Sequence, residues 1–541
     1  MKLIRHALTE KPKELTAKPL LIAALISVLT ACSSGGSSSD DSQSDLNSDT
    51  EDTIETETPE VDDETLSEQD EQLIALIDSQ GLTGDPSSGR TLPDITDDKA
   101  QLGMKLFYSN SLGGNFDSTC VTCHHPVLGG ADDLSLSVGV DADNEDLLGE
   151  GRTHTSSQPP VPRNAPTVFN LALWDSGLFH DSRVESLGKE SGVNGAASGI
   201  RTPDSSFDVA DTNAGANLAT AQARFPVTSV EKMKSEHFED SSDNDTIRAH
   251  LAARIGNYGV GAGELTTNDW LTEFQTAFGS TASAEDLITF DNIAEAISEY
   301  VRSMVFVESP WAQYIAGDRD ALTDQQKEGA ILFLTPAQDG GTGCASCHNG
   351  DFFTDEQHHV VAFPQIGPSK GNGTSGDDDF GRERETGDTD HRYQFCTPSL
   401  LNVSVTAPYG HAGSYDSLRV VVRHYNNPEN RVEDYFDDGG WCQLEQFEDI
   451  TGCASLYPNA QSNTNDAVTK LEEDRDNNNT LFVQNIRLNN DEVNQIVAFI
   501  EALTDPCVED RSCLAPWIPD TSDSGPDDQQ LNVVDNNGDF L

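Results

Sequence analysis

Apolar residues along this chain recur at helical spacing. Leu73, Leu76 and Ile77 open the first stripe just after Asp70. From Asp291 to Phe306, Ile293, Ile297, Tyr300, Val301 and Met304 fall on one face. After Asn490-Asp491-Glu492, the residues Val493, Ile496, Val497, Ile500 and Leu503 do the same. Both stretches predict amphipathic helices. Shorter helices are predicted over Thr96–Phe107, with Thr96 as N-cap, over Leu322–Phe333, and from Leu418 to Tyr425. The first two of these share a pattern: Thr-Asp, then Gly, then Phe four residues on, then a cysteine pair 11 to 13 residues later. That self-similarity predicts an internal repeat of two units. Alternation with period two is scarce and Gly/Pro/Asn-rich loops are long, so the expected fold class is mainly α with long loops.

Composition places this fold outside the cytoplasm. Lys2, Arg5, Lys11, Lys13 and Lys18 precede the apolar run Leu20–Leu29, which is too short for a comfortable membrane span. With Leu29-Thr30-Ala31-Cys32 after it, residues 1–31 are expected to be a signal peptide. Leu-Thr-Ala-Cys resembles a bacterial lipobox, which implies acylation of Cys32 and a lipid anchor on the periplasmic side of the cell envelope. Residues 32–72 would be the lipidated Cys and a disordered acidic linker, since Ser, Asp, Glu, Gly and Thr cannot bury a core. The folded part is then expected as two domains, 73–308 and 309–505, followed by an acidic tail, 506–541. A formal net charge of −61 excludes a nucleic-acid partner.

The candidate chemistry lies in the two cysteine pairs. Cys120-Val121-Thr122-Cys123-His124 and Cys344-Ala345-Ser346-Cys347-His348 both fit C-x-x-C-H, the pattern of covalent haem c attachment. The thiols add to the haem vinyl groups and the His becomes an axial iron ligand. A zinc site needs four N/S ligands gathered locally, whereas these copies lie over two hundred residues apart. Two covalently bound haem c groups are therefore expected, one per domain. Of ten cysteines, Cys32 and these four leave Cys396, Cys442, Cys453, Cys507 and Cys513. Cys442/Cys453 and Cys507/Cys513 are close enough in sequence to pair in an oxidising compartment. Cys396 has no assigned role.

Axial ligation can be narrowed from the sequence. The chain has four Met and none follows His348, so a Met ligand for the second iron cannot come from the second domain.

Further motifs surround the two pairs: Arg163-Asn164-Ala165-Pro166-Thr167, Phe179-His180-Asp181-Ser182-Arg183, Phe225-Pro226 to Met233, and Thr406-Ala407-Pro408. Together with the haem motifs, from about Asp94 to Leu503, they resemble the bacterial di-haem cytochrome c peroxidase family, which includes the MauG-type enzymes. The resemblance implies two cytochrome-c-like haem domains, the first reacting with peroxide and the second passing or storing electrons. Many relatives carry a distal His sixteen residues after the first haem His. Here that place is Val140, which cannot ligate iron. His125 is too close to reach the opposite face, and His154 is expected as a solvated loop His. The first haem is thus expected to be open. The resemblance also implies a distal Gln and Glu. Motif alignment puts Glu190 at the Gln place. Counting from Pro226 puts Lys232 at the acid's place with Glu231 beside it, and Glu231 is the candidate acid. The Trp that relatives place between the haems is His180 here, with Trp174 as a possible substitute. The axial position of the second haem falls on Tyr425, as in MauG-type enzymes, with His424 and His411 as alternatives. A calcium ion between the haems would be held by Asn164, Thr406 and Pro408, oxygen ligands of the kind Ca²⁺ takes.

The expected function is reduction of hydrogen peroxide at the first haem. Electrons would come through the second haem from a donor protein, or a partner protein would be oxidised as in MauG-type enzymes. A non-enzymatic di-haem electron carrier, or a tethered haem sensor, is the alternative. The carrier requires two saturated irons, against which Val140 argues.

Overall fold

A computed structural model describes residues 66–541; the expected signal peptide, Cys32 and the linker up to residue 65 lie outside the described residues. The helices that position the site are α1 (Glu68–Gln80), α2 (Asp98–Tyr108), α3 (Leu218–Ala223), α4 (Phe290–Arg302), α5 (Asp324–Leu334), α6 (Leu418–Asn426) and α7 (Asn490–Glu501). Sheet is confined to strands of two or three residues. β1 (Gly177–Leu178), β2 (Val184–Ser186) and β3 (Ile200–Arg201) form one antiparallel sheet, and β4 (His358–His359) pairs with β5 (Phe395–Cys396). The molecule is helix-rich with long loops, as the apolar periodicity predicts. Among the described residues no helix is long and apolar enough to cross a membrane.

Two separate sets of buried residues reflect the repeat. In one, Leu102, Leu106 and Phe107 of α2 meet Ile293, Ile297, Tyr300 and Val301 of α4. In the other, Phe333 and Leu334 of α5 meet Val493, Ile496, Phe499 and Ile500 of α7. Each such side chain, fully buried, contributes roughly 1.5–3 kcal/mol. The repeated glycines explain the close crossings. A Cβ on Gly103 would lie 2.0 Å from the Ala296 carbonyl oxygen, and one on Gly329 would lie 1.9 Å from that of Gln495. Helix interiors disfavour Gly by about 1 kcal/mol, so the pattern is retained for the approach of two backbones. Thr323 caps α5 as its position suggests. In the first copy the cap is Asp97 instead, because the Thr96 hydroxyl donates to Asp94 at 2.7 Å.

The chain ends depart from the expected domain boundaries. α1, first in the described sequence, buries Leu73 and Ile77 in the second core. Asp70 holds it there, accepting from Lys327 Nζ and the Tyr314 hydroxyl, each at 2.8 Å. The stretch read as an acidic tail returns to the first core, burying Val508, Leu514, Leu531 and Val533. Its Asp527 Oδ2 accepts from Ser109 Oγ at 2.9 Å, Ser111 Oγ at 2.7 Å and Trp270 Nε1 at 2.8 Å. These apolar residues are isolated among acids without any period, so no pattern betrays their burial. Both short-range disulfides are present, Cys442–Cys453 and Cys507–Cys513.

Candidate active site

Each C-x-x-C-H motif forms a single tight turn after the helix that precedes it, Cys120–Thr122 after α2 and Cys344–Ser346 after α5. The Thr119 hydroxyl donates to the Phe107 carbonyl at 2.5 Å and ties the first turn to its helix. His124 Nδ1–H donates to the Gly130 carbonyl and His348 Nδ1–H to that of Phe353, both at 3.2 Å. These bonds set the tautomer and leave each Nε2 lone pair free for a metal. Burial pushes the thiols of Cys120 and Cys123 up to about 12 and that of Cys344 up to about 11. A redox pair or a zinc site works through thiolates, which such surroundings disfavour. Burial also takes His124 down to about 4, keeping it neutral and ready to ligate.

Both motifs open onto one cavity of about 2020 Å³. That is more than twice the upper end of ~300–1,000 Å³ for a single small-molecule pocket. Its wall is largely apolar, with Phe107, Phe169, Met233 and Ile297 near the first motif and Phe333, Leu400, Val422 and Ile496 near the second. Among the buried polar atoms of wall residues that lack a hydrogen-bond partner are His411 Nε2, Gln365 Nε2 and Arg475 Nη2. Four thiols, two neutral imidazoles, apolar walls and waiting donors together fit two covalently held haems.

Beyond the first motif the wall is built by loops and α3. Of residues 125–140, only Ser137 reaches the cavity. Val140 is buried away from it, His125 is fully buried with Nδ1 accepting from Val127 N–H, and His154 binds Ser156 outside it. The loop is anchored there by Arg152, which donates to the carbonyls of Val138, Gly139, Asn144, Glu145 and Leu147. Gln446 adds a clamp, accepting from Leu136 N–H at 3.0 Å and donating to its carbonyl at 2.7 Å.

The candidate acids separate. Glu190 lies on an exposed loop, where its carboxylate accepts from Ala197 N–H at 2.8 Å, and it does not line the cavity. Gln222 of α3 does. The insertion between Ser191 and Ala223 displaced the alignment. Counting back four residues from Pro226, on the far side of the insertion, finds the Gln that the resemblance calls for. Glu231 and Lys232 both face the cavity from a five-residue π-helical turn, Val230–Lys234. Such widened turns recur at functional sites because they re-aim side chains.

At the second motif Tyr425 of α6 lines the cavity. Burial, followed by the nearby Cys347 and Cys344, pushes its phenol well above the usual range, so only a strong local cation draws the proton off. His424 is fully engaged: Nε2–H donates to the Val361 carbonyl at 2.7 Å and Nδ1 accepts from the Tyr415 hydroxyl at 2.9 Å. It is therefore excluded as an iron ligand. His411 stacks on Phe395, 3.8 Å between ring centres. Asn164, Thr406 and Pro408 all reach the cavity wall, and the Asn164 amide is oriented by donating to Leu134 O at 2.9 Å. Also on the cavity wall, Trp174 packs edge to face on Phe352 at 5.4 Å, while His180 Nε2–H donates to the Asn164 carbonyl at 3.1 Å. The Cys396 thiol, pushed up to about 12 by burial, also borders the cavity.

Comparisons with known proteins agree with this architecture. Residues 97–320 match the model of the di-haem cytochrome c peroxidase family. The methylamine utilization protein MauG of Methylorubrum extorquens is 28% identical over 333 residues, 61% of this chain and 69% of that one. The cytochrome c551 peroxidase of Pseudomonas aeruginosa is 26% identical over 335 residues, 62% of this chain and 73% of that one. Among solved structures, a MauG-like protein associated with microbial copper homeostasis superposes with a TM-score of 0.50 at 20% identity, covering 81% of this chain and 98% of that one, and supports the fold. By its two C-x-x-C-H motifs, its shared cavity and these relatives, the chain is similar to the di-haem cytochrome c peroxidases and to MauG, with the family match confined to residues 97–320.

Proposed function

We propose that this protein is a di-haem oxidoreductase that reduces hydrogen peroxide at the haem of Cys120, Cys123 and His124, drawing electrons through the haem of Cys344, Cys347 and His348. The observation that carries this reading is the asymmetry of the cavity. Of residues 125–140 only Ser137 lines the cavity, so neither His125 nor Val140 enters it, while Tyr425 lines it near Cys344 and Cys347. A non-enzymatic electron carrier needs two saturated irons and lacks this asymmetry.

When bound, the haems supply the electron transfer. The protein contributes position and protons. His124 and His348 present Nε2 because their Nδ1–H groups are held by carbonyls. Glu231, on the cavity wall, would move a proton between the peroxide oxygens, and Gln222 would orient the peroxide. The phenolate of Tyr425 would favour the oxidised states of the second iron, which suits a haem that stores an oxidising equivalent. That choice favours the variant in which a partner protein is oxidised, as in MauG-type enzymes, over simple electron entry from a small donor. Each haem would sit in a cytochrome-c-like unit built on one Gly-crossed helix pair. Asn164, Thr406 and Pro408 would hold a calcium ion between them, and Cys32 would anchor the protein on the periplasmic side.

Resting-state EPR followed by peroxide addition tests this. The expected result is one high-spin ferric haem, one low-spin haem with an anionic oxygen ligand, and loss of both signals on adding peroxide. Two low-spin haems with nitrogen ligands, unchanged by peroxide, would overturn it.

A further inference from the structure

A loop of the C-terminal half grips the backbone that follows the first motif. Gln446 accepts from the Leu136 N–H at 3.0 Å and donates to the Leu136 carbonyl at 2.7 Å, across 310 residues of sequence. A primary amide suits such a pair, since one end accepts while the other donates. The loop itself is closed. Cys442 and Cys453, bonded to each other 11 residues apart, bracket Gln446. Trp441 Nε1–H draws the same ends together by donating to the Cys453 carbonyl at 3.0 Å. The Leu136 side chain is fully buried and shares one apolar cluster with Trp441, Leu444, Phe447 and Cys453.

The gripped segment leads to the cavity. Ser137, the next residue, lines it. Val138 and Gly139 follow, their carbonyls held by Arg152. Gly139 then meets the backbone of the π-helical turn that carries Glu231. A Cβ on Gly139 would lie 2.6 Å from the Glu231 carbonyl oxygen and 2.4 Å from that of Lys232. The turn is also held by Ser118 Oγ, which donates to the Lys232 carbonyl at 2.9 Å, and by Gly114 N–H, which donates to the Met233 carbonyl at 2.7 Å. Close-packed interiors transmit strain, so a shift of Leu136 reaches the Glu231 backbone through the three residues between.

We propose that Gln446, held in its disulfide-closed loop, is a positioning residue for Glu231. By fixing the backbone from Leu136 to Gly139 it sets the place from which Glu231 moves the peroxide proton. No bond is made or broken at Gln446 itself. The role rests on the peroxidase reading, and it makes the chemistry at the first motif depend on a loop of the C-terminal half.

The test compares Gln446→Ala and Gln446→Glu with wild type as holoproteins, by covalent haem content, by the rate of reaction with hydrogen peroxide across pH, and by amide hydrogen exchange. Gln446→Ala removes both bonds. It should keep two covalent haems and react about tenfold more slowly, part of the ~100-fold or more that a positioned acid–base group contributes. Its amides should exchange faster at 134–140 and also at 229–235, a segment to which Gln446 makes no hydrogen bond. Gln446→Glu supplies a readout that a packing defect would not move. A neutral carboxyl accepts from the Leu136 N–H and donates to its carbonyl as the amide does, whereas a carboxylate has no proton to donate. Its rate relative to wild type at the same pH should be near one at low pH and fall as the carboxyl ionises. That limb should lie above the usual carboxylate range, because the neighbouring Glu445 is itself raised by a hydrogen bond from Glu150, by burial, and by the charges of Glu150, Glu448 and Asp133. A wild type that does not react with peroxide would refute the peroxidase reading, and hydrogen exchange would then decide the positioning role. Unchanged exchange at 229–235 in Gln446→Ala would overturn that role. So would a wild-type rate in that variant, or a flat rate ratio across pH in Gln446→Glu. If Gln446→Ala fails to fold, the pH profile of Gln446→Glu carries the test.

Discussion

At the scale of single residues, the proposed ligation of the second haem turns on Tyr425. With both nitrogens of His424 committed to the Val361 carbonyl and the Tyr415 hydroxyl, replacing Tyr425 by Phe leaves the adjacent His unable to take over. Tyr425→Phe should therefore retain two covalent haems while the resting spectrum of the second changes. An unchanged spectrum would remove Tyr425 as a ligand. Asp379 provides a test by pH. Burial raises its pKa, but Arg163, by charge and hydrogen bonding, outweighs that and brings it down to about 2. A carboxyl whose folded pKa lies below the ordinary 3.8 contributes stability above that value and loses it as pH falls through 2. The contribution is of order 2 kcal/mol. Urea unfolding at pH 6 and pH 3 should show a drop in wild type that is smaller in Asp379→Asn. Equal drops would refute the assignment.

At the scale of elements, the two Gly-crossed helix pairs are the shared frame of the repeat. Neither crossing has room for a methyl group: the Ala296 and Gln495 carbonyls stand where a Cβ would go. Gly103→Ala and Gly329→Ala should each cost about 1–3 kcal/mol through overpacking, read by chemical denaturation, although Ala is the better helix former. A neutral or stabilising result at either position would mean that the crossing relaxes freely. The same crossing sets the position of the haem turn, because the Thr119 hydroxyl bonds the last turn of α2. Loosening the helix pair should thus broaden the haem spectra as well as lower stability.

At the scale of the whole molecule, the chain ends trade places, α1 completing the second core and the C-terminal stretch the first. Truncation after Thr504 would uncover Tyr300 and Phe306, which meet Trp517, and strip the partners from Trp270 Nε1, Ser109 and Ser111. Even the single change Asp527→Ala should destabilise the protein by about 1–3 kcal/mol, since it leaves buried donors unpaired. Thermal unfolding of the variant checks this, and an unchanged midpoint would return the segment to the status of a tail. This exchange also means that neither half is expected to fold when cut from the other at residue 308.

What the sequence by itself determined was the local chemistry. The two C-x-x-C-H motifs, the absence of Met after His348, the Thr-Asp-…-Gly-…-Phe repeat and the stripes of α4 and α7 are all written within a few turns of chain. Cysteines 6 and 11 residues apart paired as their spacing suggests. Only the tertiary structure decided which groups converge. It put Gln222 on the wall and Glu190 outside, because the loop between them breaks the count along the chain. It used up His424 through a carbonyl sixty-three residues away. It set Gln446 against the Leu136 backbone 310 residues away, and it buried isolated apolar residues of an acidic terminus. The physical reason is the same in each case. Periodicity and motif spacing report interactions within one element, whereas burial, charge neighbourhood and hydrogen-bond partners are set between elements.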